Sequence, residues 1–186
     1  MKEEIIISGF GGQGALFAGT LLCQAAIMEG KFVTFFPSYG AEIRGGTANC
    51  QVIMSDAPIG TPAVNNPDIL ISLNESSYKK FASRVKEKGI IFANTSLYTP
   101  QKRDGIEILG IPANNLAEEC GTRRFANTVM LGALISKKRI LKLDTLIASI
   151  PKVLTEKRKD LWEANKRAVF AGYVYRDRGR LTWTER

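Results

Sequence analysis

Residues 5–14 read IIISGFGGQG, and the reading of this stretch decides the fold. A β-branched run makes a short strand, glycines break it, and a helix must begin near Ala15. Gly9, Gly11 and Gly14 follow the G-x-G-x-x-G spacing, in which glycine permits a tight turn, lets a ligand approach the backbone and lets helix and strand pack closely. The helix that follows aims free N–H groups and a partial positive charge at whatever occupies the turn. An anion suits this place. A second reading stays open, in which the glycines only shape a strand-to-helix connection. A dinucleotide suits it less well, because such sites carry an acidic residue at the end of the second strand, about 20 residues on, to hold the ribose. Here the second strand, 32–36, runs into Pro37, Ser38 and Tyr39, and the nearby acid, Glu29, precedes it.

Residues 38–47, SYGAEIRGGT, set an aromatic ring, a carboxylate and an arginine among glycines where that second strand should end. In open α/β sheets this rim is where ligands bind. Arg44, followed by Gly45 and Gly46, places a permanently charged fork on a backbone able to come close to a phosphate or carboxylate. The plain alternative is a surface turn with Arg44 solvated or paired to Glu42. The candidate site therefore comprises Gly11, Gly12, Gln13 and Gly14, of which Gly12, Gln13 and Gly14 would turn their N–H groups to phosphate oxygens or a neighbouring subunit's carbonyls, together with Ser38, Tyr39, Arg44, Gly45 and Gly46. Tyr39 would pack on a flat or apolar part of the ligand, and Arg44 would supply the charged contact.

Outward from these loops the pattern alternates. Short β-rich runs at 5–8, 32–36, 48–54, 69–73, 90–93 and 106–109 read as strands, and 15–28 and 76–85 read as helices. Beyond residue 125 the pattern turns helical, over 125–136, 144–154 with Asp144 as N-cap, and 160–175 with Asp160 as N-cap. The expected fold class is α/β: a three-layer, mostly parallel, Rossmann-like sheet with helices on both faces and a helical C-terminal tail. The 186 residues, 45% of them hydrophobic, suit a single domain, with an α/β core at about 1–136 and a basic tail at about 137–186. No run approaches the roughly 20 apolar residues that span a bilayer, and MKEE is not a signal-peptide start, so the expectation is a cytoplasmic protein without membrane contact.

Several ordered segments carry a family resemblance. GFGGQGALFAGTLLCQAA at 9–26, FPSYGAEIRGGTANCQVIMSDAPIGTP at 36–62, PDILISLN at 67–74, IPANNLAEECG at 111–121 and FANTVMLGALI at 125–135 together resemble the gamma subunit of 2-oxoacid:ferredoxin oxidoreductases. The resemblance implies an accessory subunit of a complex that oxidatively decarboxylates a 2-oxoacid, reduces ferredoxin and forms an acyl-CoA. Coenzyme A would be a substrate at a shared site, with no cofactor bound by this chain alone. Thiamine diphosphate, Mg and iron–sulfur clusters would sit on partner alpha, beta and ferredoxin-like delta subunits. Asn127, in the matched FANTVM segment, would point its amide at the same rim. The wording around residues 36–50 is most similar to subunits acting on 2-oxoglutarate or branched-chain 2-oxoacids.

Independent absences agree with an accessory role. The chain contains no histidine, so the commonest general base and metal ligand is missing. Cys23, Cys50 and Cys120 show no C-x-x-C spacing, whereas an iron–sulfur site needs about four clustered ligands. Cys23 and Cys50 read as buried, inert thiols, and Cys120 as a more exposed one. Asn65 and Asn66 have no Gly-Asp-Gly segment upstream, as a thiamine site of this family would, and read as a turn.

Charge is uneven. Residues 1–136 hold 12 basic and 12 acidic side chains, while 137–186 hold 14 and 6 and so carry the whole excess of +8. A solvated helix face, an acidic subunit or anionic coenzyme A each account for that surface. Trp162, Tyr173, Tyr175 and Trp183 suggest base stacking, but no nucleic-acid motif accompanies them, and nucleic acid is not an expected partner. The main rival to the complex is a stand-alone Rossmann-type nucleotide-binding enzyme, and the third is a basic nucleic-acid or scaffolding protein.

Overall fold

Six strands form one sheet: β1 (Lys2–Phe10), β2 (Phe32–Tyr39), β3 (Thr47–Ser55), β4 (Ile69–Ser72), β5 (Ile90–Asn94) and β6 (Glu107–Ile111), in the order β2-β3-β1-β4-β5-β6. The computed structural model describes residues 1–39 and 47–178. β1 pairs in parallel with β4, β4 with β5 and β5 with β6. β3 runs antiparallel to both β1 and β2, so it alone is reversed and the sheet is mostly parallel. The sequence expectation of an α/β sheet with helices on both faces holds.

Alternation along the strands divides the core in two. Ile5, Ile7, Val52, Met54, Ile69, Ile71, Phe92 and Leu109 face one layer, while Ile6, Ile53, Leu70, Ile91 and Ile108 face the other. The first layer receives α1 (Ala15–Met28), α3 (Ala113–Glu119), α4 (Ala126–Lys138), α5 (Leu143–Val153) and α6 (Trp162–Arg178). The second receives α2 (Glu75–Phe81) and the 3-10 turn Ala82–Arg84 that continues it. Ile5, Ile6 and Ile7 are fully buried because both faces above them are covered.

α1 spans the residues expected from the sequence. α2 begins where the Asn74 side chain accepts the Ser77 N–H at 2.8 Å, an N-cap that also places Glu75 in the first turn. Two expected caps differ. The N-cap of α5 is Lys142, whose N–H is taken by Glu29 Oε1 at 2.7 Å, so the helix starts early and Asp144 falls in its first turn. Asp160 lies in a 3-10 run, Glu156–Leu161, which tightens the chain before α6 begins at Trp162. α3 has no counterpart in the sequence reading.

The C-terminal helices join the main core. α6 crosses α4 where Gly132 and Gly172 remove the side chains between them: a Cβ on Gly132 would collide with the Val169 carbonyl, and one on Gly172 with the Val129 carbonyl. Ala168, Val169, Leu146 and Ile150 are all fully buried in this layer. Among the described residues, no helix is long and apolar enough to cross a membrane.

Candidate functional site

The C-terminal ends of β1, β4 and β5 lie side by side, and a belt of side-chain amides closes them. Gln13 Oε1 accepts the Phe10 N–H at 2.7 Å and Asn74 Nδ2 at 2.7 Å. Its Nε2 points at the Leu73 carbonyl, 3.5 Å away. That carbonyl also receives Asn94 Nδ2 at 3.1 Å, and the same amide reaches Asn114 Oδ1 at 2.7 Å. Asn94 is fully buried, and its Oδ1 accepts the Ala113 N–H at 3.2 Å, which sets the start of α3. Each polar group satisfies another, so the belt is a rigid polar floor in an otherwise apolar core.

The glycine turn rises from this floor. Gly12 has φ 95° and Gly14 has φ 75°, left-handed conformations that a side chain rarely adopts. Gly14 is the N-cap of α1 and offers no side-chain oxygen there. Gln13 spends its N–H on the Phe10 carbonyl at 3.1 Å, which removes it from the three donors expected to face a ligand. Among the described residues no hydrogen bond occupies the N–H groups of Gly12 and Gly14. Gly11 is exposed, with open space where a Cβ would stand. Asn127 is 4% exposed and donates from Nδ2 to the Gly14 carbonyl at 2.9 Å, so its amide is directed to the turn itself.

A cavity of about 170 Å³ opens between the floor, the turn and the segment before α4. Gly12, Gln13, Leu73, Asn94 and Asn114 line its inner wall, and the exposed Arg123 and Arg124 line its mouth. Arg123 Nε is paired with Glu118 Oε2 at 2.9 Å. No ion pair engages Arg124 among the described residues. Its lining is mostly apolar, with the neutral amides as its polar part and the two guanidinium groups as its charged part.

The second loop predicted from sequence is anchored at the same sheet edge. Tyr39 pairs with Ala48, and Ala48 with Gly9; Thr47 pairs with Phe10. Ser38 sits one residue back on β2, opposite Asn49 and so two strands from Ser8. Arg44, Gly45 and Gly46 lie outside the described residues. The wedging of β3 between β1 and β2 carries a further consequence. The dinucleotide fold has its second strand beside the first, whereas here the end of β2 is displaced by a whole strand, about 5 Å further away.

Burial makes the thiols poor nucleophiles. It pushes Cys23 and Cys50 up to about 12, and raises Cys120 more modestly. Cys120, expected to be more exposed, is buried. Among the described residues no three His, Cys, Asp or Glu side chains converge as a metal site.

Sequence reasoning named Gly12 and Gln13 but missed Asn94, Asn114, Arg123 and Arg124. The available signal was polar residues at the strand ends, in LNES, ANTS and PANN, and the paired arginines of GTRRF after α3.

Known proteins resemble this chain over most of its length. The pyruvate ferredoxin/flavodoxin oxidoreductase family matches residues 4–175. The ketoisovalerate oxidoreductase subunit VorA of Methanothermobacter marburgensis is 44% identical over 135 residues, 73% of this chain. The chain spans only 28% of that relative's length. The 2-oxoglutarate synthase subunit KorC of Methanocaldococcus jannaschii is 37% identical over 165 residues, covering 84% of this chain and 88% of that one. A crystal structure of the gamma subunit of a keto/oxoacid ferredoxin oxidoreductase from Geobacter sulfurreducens superposes with a TM-score of 0.82 at 27% identity, covering 95% of this chain and 99% of that one.

Proposed function

The chain belongs to the pyruvate ferredoxin/flavodoxin oxidoreductase family, and we propose that it serves as the gamma subunit of a complex that oxidatively decarboxylates a 2-oxoacid, reduces ferredoxin and releases an acyl-CoA. Its task in that complex is to bind and orient coenzyme A. One observation carries this reading: an amide-floored cavity whose mouth holds Arg124, without an ion pair among the described residues, placed directly beside the glycine turn.

Coenzyme A offers a diphosphate and a ribose phosphate at one end and a thiol at the other. The N–H groups of Gly12 and Gly14 and the Arg124 guanidinium suit the phosphate oxygens, while Asn114 and Gln13 suit polar groups that enter the cavity. Arg44 would add a charge-assisted contact to the same ligand, and Tyr39 would pack on a flat or apolar part of it. With its phosphates held, the thiol arm is free to reach a reacting centre on a partner subunit, and the gain is one of positioning. Thiamine diphosphate with Mg and the iron–sulfur clusters belong to the alpha, beta and delta partners, and supply the decarboxylation and electron-transfer chemistry there. Among 2-oxoacids we favour 2-oxoglutarate, on the segment at residues 36–50; ketoisovalerate is the next choice.

Copurification tests the whole reading. The tagged chain should bring down thiamine- and iron-containing partners, and the complex should reduce a viologen dye only when both 2-oxoacid and coenzyme A are supplied. Turnover by the chain alone, or copurification with a bound dinucleotide and no partner, would overturn it.

A further inference from the structure

A line of buried polar side chains runs from the C-terminal helix to the glycine turn, and none of its outer members touches the cavity. Asn165 on α6 is 2% exposed; its Nδ2 donates to the Leu161 carbonyl at 2.9 Å, which fixes Oδ1 toward α4. Thr128 on α4 is fully buried, and its hydroxyl donates to Asn165 Oδ1 at 2.9 Å. The same hydroxyl stands 3.3 Å from Asn127 Oδ1. Asn127 turns its Nδ2 to the Gly14 carbonyl, which also accepts the Ala18 N–H at 3.0 Å as the first bond of α1.

The arrangement is directional. A threonine hydroxyl has one proton, and here that proton is shared between two amide oxygens. Each amide is thereby forced to present its N–H groups outward, one to Leu161 and the other to Gly14. Space enforces the same outcome: a Cβ on Gly14 would stand 2.5 Å from Asn127 Nδ2, so the amide fills the place a side chain would take.

We infer that Thr128 and Asn165 are positioning residues: acting through Asn127, they lock the Gly14 carbonyl and so hold the glycine turn in the shape that binds an anion. The consequence for coenzyme A rests on the proposed function, but the consequence for the turn does not. A turn with two left-handed glycines has many alternatives, and a carbonyl held by two donors removes most of them before the ligand arrives.

Thr128→Val keeps the volume and deletes the shared proton, while Thr128→Ser keeps the proton. In the assembled complex, Thr128→Val should raise the KM for coenzyme A about 5- to 30-fold and leave the rate of decarboxylation without coenzyme A near wild type, with Thr128→Ser restoring most of the loss. Asn165→Leu should act in the same direction. In the free chain, amide hydrogen exchange at residues 11–18 should quicken in Thr128→Val and not in Thr128→Ser, with both variants melting as one cooperative unit. Wild-type exchange in Thr128→Val, or equal losses in Val and Ser, would overturn the inference. Arg124→Gln run alongside separates the two readings. If Arg124→Gln and Thr128→Val both leave the coenzyme A KM unchanged while exchange still responds, the coenzyme A reading falls and the positioning of the turn stands.

Discussion

In the proposed function, Arg124 is the residue on which anion binding would turn most directly. Its backbone is set by Thr122, whose hydroxyl accepts the Arg124 N–H at 3.3 Å, so the guanidinium is carried on a capped 3-10 turn (Arg123–Phe125) at the mouth of the cavity. Its neighbour Arg123 is already neutralised by Glu118. A substitution should therefore separate the two arginines: Arg124→Gln should weaken coenzyme A by about 1.5 kcal/mol, roughly 10-fold, and Arg123→Gln by much less. The lower end of the range for charged hydrogen bonds applies because the side chain is exposed to solvent. A coenzyme A titration of the intact complex checks this, and equal effects at the two positions would show that the cavity senses net charge alone. The thiols give no comparable handle. Burial holds Cys23 and Cys50 protonated to about pH 12, so alkylating reagents at neutral pH should leave both unmodified in the folded chain.

Among elements, the α4–α6 crossing carries the strongest constraint. Backbone meets backbone at Gly132 and Gly172, so an added methyl has only a carbonyl to displace. Gly132→Ala should destabilise the chain by about 2 kcal/mol or more, lowering the melting temperature by roughly 5 °C, whereas Gly60→Ala, which faces open space, should be neutral. Thermal melts of the two variants decide the matter, and an unaffected Gly132→Ala would mean that the helices part readily. Such strong packing left little trace in the sequence, because an isolated glycine within a helical pattern does not show which backbone approaches it. The strands were legible because β-branched runs bounded by polar turns have few other uses, and α1 was legible because glycines punctuate both its ends. α3 was not, since ANNLAEE is seven residues long and carries in its first turn two asparagines that favour turns. The reversal of β3 was equally hidden. It depends on whether the chain after Tyr39 turns back or crosses over, and strand composition does not encode that choice. The cavity escaped for a related reason: Gln13, Asn94, Asn114 and Arg124 come from separate segments that meet only when the sheet is assembled.

At the scale of the molecule, the sheet ends in two edge strands, β2 and β6, and β2 is the longer. β2 is an edge strand of eight residues, and its outer side pairs with nothing among the described residues. Phe32 is 49% exposed, Phe36 47% and Phe35 37%, and Ile27 at the end of α1 is 53% exposed. Phe32 and Phe36 share one face of the strand by its twofold alternation, while Phe35 lies on the face toward α1. An apolar, hydrogen-bond-ready edge is a liability for a free chain and an asset for a subunit. Isolated from its complex, the chain should therefore self-associate through β2, with sedimentation coefficients that rise with concentration. Phe36→Lys should shift the equilibrium toward monomer, because a charge at the centre of the exposed row must be desolvated in any strand pairing. Ser76→Lys, which adds the same charge at an exposed position of α2 away from this edge, should leave association unaltered. A wild-type chain that stays strictly monomeric at every concentration would remove the β2 edge as a contact surface. If instead wild type associates and Phe36→Lys does so equally, association runs through another face, and the exposed phenylalanines must be assigned to contacts made only within the complex.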